Sequence, residues 1–174
     1  MKKYIFILIF SSIYTLQAQV AIGKENVNGS NTILDFAEIG NTKGIIVPPV
    51  AAHENVKRGS TNENGIFIFD KADAKVKVFE NNIWKELSPA GSSTDLLSND
   101  TRQDIGSGVI IGAETTTAEG ILVLESPTDT PMAMILPKVN TPHTSVENPY
   151  PGMICYDTAT KTLAVYNGLV WTYW

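Results

Sequence analysis

Cysteine is almost missing from this chain: Cys155 is the only one, so no internal disulfide can staple the fold. Histidine is nearly as scarce. His53 and His143 stand alone, and no cysteine pair or His-Glu-x-x-His spacing accompanies them, so no metal centre is predicted. There is no Gly-x-Ser-x-Gly elbow and no Walker loop, and Gly106-Ser107-Gly108 with Gly112 has the wrong spacing for a nucleotide loop. Catalytic residues, cofactor-binding residues and metal ligands are therefore all expected to be none, and no cofactor is expected. Basic stripes are absent too, which argues against nucleic acid as a partner. No segment shows sustained helical periodicity with caps.

What is present comes in a recognisable order. Lys2 and Lys3 precede an apolar run, Tyr4 to Ile13, broken only by Ser11 and Ser12, and Leu16-Gln17-Ala18 follows with a small residue. That sequence of charge, short apolar run and small residue is the pattern of a secretory signal peptide. The run falls short of the roughly 20 residues that span a bilayer. Residues 1–18 are thus read as a signal peptide and the mature chain as starting at Gln19, with no transmembrane segment in it. The full chain carries 13 basic and 18 acidic side chains. Without the two signal lysines the balance is 11 against 18, a net charge of −7. Apolar residues make up 43% and charged residues 18% of the chain, enough to build a core.

Internal repetition is the strongest signal in the sequence. Val20-Ala21-Ile22-Gly23 matches Val109-Ile110-Ile111-Gly112, and Ile33-Leu34-Asp35-Phe36 matches Ile121-Leu122-Val123-Leu124. Ile46-Val47-Pro48-Pro49-Val50 matches Ile135-Leu136-Pro137-Lys138-Val139. Gly65 to Asp70 matches Gly152 to Asp157, and Val78 to Trp84 matches Val165 to Trp171. Five blocks recur in one order at a spacing of about 88 residues, a length suited to a small domain. The expected organisation is residues 19–87 as a first β-repeat, 88–107 as a Ser/Gly/Pro/Asp-rich linker and 108–174 as a second β-repeat.

The fold class expected is all-β: two tandem copies of a small β-meander module with short strands. Ile66 to Phe69 is a β-prone run, and Lys75-Val76-Lys77-Val78 alternates charged and apolar residues as a half-buried strand does. Asn81-Asn82 marks a tight turn before Ile83-Trp84. Asn167-Gly168 is read as the central pair of the matching turn, because Asn-Gly favours positive φ at both central positions. Runs around Ile33, Ile121, Ile45 and Met134 read as short strands that Pro48 and Pro137 then interrupt.

Few residues stand out as candidates for function. Trp84, Trp171, Tyr173 and Trp174 provide large apolar surfaces, which serve either as core anchors or as a stacking platform for a ligand. Buried rings favour the first use and exposed rings the second. Asp70 and Asp157, at matching strand ends, are expected to accept hydrogen bonds from turn amides. Cys155 occupies the place of Ile68 and is expected to face inward as a small hydrophobe.

The matched blocks resemble repeats of secreted surface proteins of Bacteroidota, and similar segments occur in phage tail fibres. The residues carrying the resemblance are Gln19-Val20-Ala21-Ile22-Gly23, Lys43 to Pro48, Gly152 to Thr158 and Val165 to Trp171. The resemblance implies an exported, β-rich, non-enzymatic module in adhesive or fibrous contexts, secreted or on the outer cell surface, with the periplasm as an alternative. Copies of this size sit near the lower limit for an independent core, so the extra burial comes either from the copies packing against each other or from oligomerisation, and self-association is expected. A glycan or an envelope protein is the other partner considered, with a carbohydrate- or peptide-binding module as the alternative function. The export reading predicts that protein recovered outside the cytoplasm has lost residues 1–18; an intact mass retaining them would contradict it.

Overall fold

A computed structural model describes residues 19–56, 64–96, 108–118, 120–126 and 131–174. The predicted signal peptide and residues 97–107 of the predicted linker lie outside them. The described chain is all-β, as expected. The first half carries β1 (Val20–Ile22), β2 (Thr32–Phe36), β3 (Ile45–Ile46), β4 (Pro49–Val50), β5 (Ile66–Asp70), β6 (Lys75–Glu80) and β7 (Ile83–Glu86). The second carries β8 (Val109–Ile111), β9 (Leu122–Leu124), β10 (Ala133–Met134), β11 (Lys138–Val139), β12 (Met153–Asp157), β13 (Thr162–Tyr166) and β14 (Trp171–Tyr173). Helical structure among the described residues is confined to a 3-10 turn at His53–Asn55 and to α1 (Pro142–Ser145).

Two antiparallel meanders dominate. In the first, Phe69 faces Val76 and Phe79 faces Trp84 across β5-β6-β7. In the second, Tyr156 faces Leu163 and Tyr166 faces Trp171 across β12-β13-β14. Each meander takes a short parallel strand on the edge away from its hairpin: β4 sets Val50 beside Asp70, and β11 sets Val139 beside Asp157. The first hairpin turns at Ala74 (φ +56°) and the second at Lys161 (φ +61°), both left-handed. Ahead of the meanders lie two parallel pairs, β1 with β2 and β8 with β9, with Val20 beside Leu34 and Val109 beside Leu122.

The second turn departs from expectation. Asn81 and Asn82 both take positive φ, 51° and 62°, the pattern of a type I′ hairpin. In the second half only Gly168 does, at 92°. The amide of Asn167 donates to the carbonyl of Val170, so the central pair is Gly168-Leu169, with glycine first as a type II′ turn requires. Asn167 is fully buried. Its side-chain oxygen accepts the amides of Leu169 and Val170, and its Nδ2 donates to the carbonyl of Pro89 at 3.0 Å. Those bonds fix Asn167 at the turn's first position.

The halves are laced together by exchange of their shortest strands. β3, two residues long, pairs antiparallel with β12: Ile46 faces Met153, and the Val47 amide donates to the Gly152 carbonyl at 3.0 Å. In the other direction β10 pairs parallel with β2, and the amides of Ala133 and Ile135 donate to the carbonyls of Asn31 and Leu34. The start of the predicted linker docks as well. The Ser88 hydroxyl accepts the Val76 amide, Gly91 donates to the Ala74 carbonyl, and Ser92 donates to the Asn167 carbonyl.

One apolar cluster unites Val47, Phe69 and Val76 with Ile154 and Val165, so it is drawn from both halves. A second groups Val139, Val146, Met153, Cys155 and Ala164 beneath Tyr150, Tyr166, Trp171 and Tyr173. A core shared in this way makes the halves unfold together. Phe69→Ala is expected to destabilise the chain by about 3–5 kcal/mol within a single urea transition followed by circular dichroism. Two separated transitions would contradict a shared core.

Candidate functional site

The densest polar constellation lies on the first meander. Register places Lys77 directly across from Ile68, on the face opposite Val76. Alternation suggested that Lys77 would point to solvent, yet its side chain is only 5% exposed. The 3-10 turn explains the burial. It carries His53 over that face, and the His53 ring meets Trp84 edge to face at 6.0 Å. A lysine roofed in this way needs anions, and two are supplied. Lys77 Nζ lies 2.8 Å from Asp70 Oδ2 and 2.6 Å from Asp73 Oδ2.

Asp70 is the hub of this group. Its Oδ2 is reached by Lys77, by the His53 ring Nδ1 at 2.7 Å and by the His53 amide at 3.2 Å, while Oδ1 accepts the Ala72 amide at 3.0 Å. Burial alone would push this carboxyl up. The bonds from Lys77, Ala72 and His53 outweigh it and hold the pKa down at about 2. Burial likewise pushes Lys77 down, and its contacts with Asp70 and Asp73 override this and raise it. The lysine–aspartate pair is therefore fully ionised at neutral pH.

The matching place in the second half carries no charge. Ala164 stands where Lys77 does and is fully buried, beside Cys155. Asp157 keeps the turn-capping role expected of it, accepting the amides of Thr141 and Ala159 and the Thr160 hydroxyl. Burial opposes ionisation there too, and those bonds overcome it and lower the pKa. His143 meets the Tyr173 hydroxyl at 3.0 Å. Burial, followed by the Asp157 charge, raises the Tyr173 phenol. A second buried carboxylate in the first half, Asp35, is paired with Lys24 and bonded by the Asn28 and Phe36 amides. Its place on β9 is taken by Val123.

The chemistry this arrangement supports is modest. His53 and Asp70 form a dyad, but the other ring nitrogen, Nε2, faces Glu54 at 3.4 Å, and the partners described for His53 and Asp70 include no hydroxyl or thiol nucleophile. Among the described residues no three histidine, cysteine, aspartate or glutamate side chains converge as a metal site would need. Cys155 is buried as expected. Burial, with a smaller push from Asp157, moves its thiol up to about 12, far from a reactive thiolate. An open groove of about 600 Å³ beside Gly112, lined by Thr115, Thr116, Thr117 and Glu125, carries one carboxylate, which the Thr116 hydroxyl engages.

The four aromatic candidates do not form one platform. Trp84 leans on Phe79 with ring centres 5.1 Å apart, and Trp171 leans on Tyr166 at 5.2 Å. Each tryptophan is half-buried against its own meander, as is Tyr173. Trp174 is the exposed member, at 60%, with its Nε1 donating to the Leu87 carbonyl at 2.7 Å. Sequence reading missed the Lys77 cluster. Its one trace was the mismatch of lysine with alanine between otherwise matching strands.

Comparison with protein-family models, with curated proteins and with solved structures finds no match to this chain. What fold and geometry define together is a class: an all-β protein of repeat-like architecture assembled from small sheets. Within that class, the charged cluster of the first meander is a buried ion network.

The network gives stability a defined acid dependence. A carboxyl whose pKa is lowered on folding stabilises the fold fully above the unfolded value, near 3.8. That contribution, about 2 kcal/mol for Asp70, disappears as pH falls towards 2. Asp35 and Asp157 act in the same direction. The unfolding free energy is therefore expected to fall between pH 4 and pH 2, and less steeply in Asp70→Asn. An unchanged slope in that variant would contradict the assignment of Asp70 as the hub.

Proposed function

We propose that this chain is an exported, non-catalytic structural module of the cell envelope or extracellular space, built from two tandem copies of one β unit and acting through self-association. The observation that carries the reading is the lacing of the halves. Strands of two residues are too short to persist as free elements, and here they work as couplers between neighbouring units. Such coupling suits a fibre or oligomer element whose role is mechanical continuity. The matching registers of β1-β2 and β8-β9, and of the two meanders, support descent from one duplicated unit. The apolar stretch behind Lys2 and Lys3 supports export.

An adhesive role that uses aromatic residues to hold a glycan or peptide is the second reading. Trp174, exposed at the end of the second meander, is the observation favouring it. The packing of Trp84 and Trp171 on Phe79 and Tyr166 weighs towards the structural role.

Sedimentation equilibrium of the mature chain over a hundredfold concentration range tests the proposal. The expected result is a mass that rises above the monomer. A monomer at every concentration would remove the self-associating role.

A further inference from the structure

Each coupler strand has two edges, and among the described residues one edge of each is paired. At β3 the Val47 amide bonds Gly152, so alternation along an antiparallel ladder turns the Ile46 amide away from β12. At β10 the amides of Ala133 and Ile135 point to β2, which turns Met134 away from it. The unused edge of β3 thus corresponds to the edge β10 has filled, and the unused edge of β10 to the edge β3 has filled. A middle unit in a longer row would fill both.

Among the described residues the seats that would receive these edges are built and open. Ile33 and Leu34, beside β10, are each 2% exposed, whereas Ile121 and Leu122 at the matching places are 69% and 46% exposed. Among the described residues β9 pairs with β8 alone. At the opposite end Gly152 lies against Val47 and Phe69, while its counterpart Gly65 has none of the described residues within 4 Å of its Cβ position. Gly112 of the second half packs against Ile33 of the first; Gly23, its counterpart, meets only Ala37. The free end of each half therefore presents what its inner end has buried.

We infer that a second copy of this chain docks head to tail on these edges, repeating the junction that already joins the two halves. This rests on the proposed self-association and names its surface. β3 of one copy lies parallel to β9 of the next, and the Ile46 amide donates to the Leu122 carbonyl as Ile135 donates to Leu34 within the chain. From the second copy, β10 lies antiparallel to the start of β5 in the first, with Ile135 opposite Ile66 as Ile46 is opposite Met153. Because donor and seat are different surfaces, growth continues into a filament or closes as a ring. One contact fits less closely. A Cβ at Gly44 would stand 2.6 Å from the Ile154 carbonyl oxygen, and the residue that takes Gly44's place in the new junction is Ala133, so the strand must sit slightly farther out.

The test uses two single-cysteine additions to the mature chain, Ile66→Cys and Ile135→Cys, on tags of different mass; Cys155 is buried and stays inert. Facing strand residues of this kind lie within disulfide reach. Oxidising the mixture at associating concentration is expected to raise the ratio of mixed dimer to the two like dimers combined at least about fivefold above the statistical one to one, as complementary seats require. Adding Ala133→Gly to the Ile135→Cys copy is expected to raise that ratio. A mixed dimer at the statistical share, in a sample whose mass still rises with concentration, would overturn this junction and leave self-association standing. A monomer at every concentration would overturn both and leave the edges to a different chain.

Discussion

Backbone hydrogen bonding between distant segments is the constraint on which this molecule depends. Four of its strands are two residues long, and a strand so short holds its place only while a longer neighbour satisfies its amides. β4 and β11 find that neighbour in their own half, on β5 and β12. β3 and β10 find it in the other half. The shared apolar cluster then forms where the exchanged strand brings Val47 against the strands carrying Ile154 and Val165. With one buried thiol and no disulfide, non-covalent pairing across the halves substitutes for a staple.

The halves share strand registers and differ in how they fill the faces of the sheet. The first uses buried charge: Asp35 with Lys24, and Asp70 with Lys77 and Asp73. The second uses Val123 and Ala164 in the corresponding strands. A buried ion pair contributes little net stability over an apolar pair, although breaking it is costly. That asymmetry explains how one backbone accommodates both solutions. It also sets the acid-sensitive carboxylate that depends on a lysine and a histidine together, Asp70, in the first half, while Asp157 adds to the acid sensitivity from the second.

Much of the backbone was legible from residue order. The Gly-Ile-Phe-Ile-Phe-Asp and Gly-Met-Ile-Cys-Tyr-Asp runs, the turns at Asn81-Asn82 and near Gly168, and the interruptions at Pro48 and Pro137 all mark element ends through local stereochemistry. Partner choice was not legible. Alternation says which face of Ile45-Ile46 is apolar, and nothing in it says that Met153 lies alongside. Nor did alternation tell the buried Lys77 from the more open Lys75, because the roof over Lys77 comes from His53, far off in sequence. The second turn was misplaced by one residue for a related reason: Asn167 is held by Pro89, a contact no local propensity contains.

Exchange of β3 also sets an order of events along a growing polypeptide. Ile45 and Ile46 face Ile154 and Met153, so the early strand waits for a partner made more than a hundred residues later. Such distant pairings slow folding. For the export proposed above that delay is useful, because closure waits until the last meander has arrived on the far side.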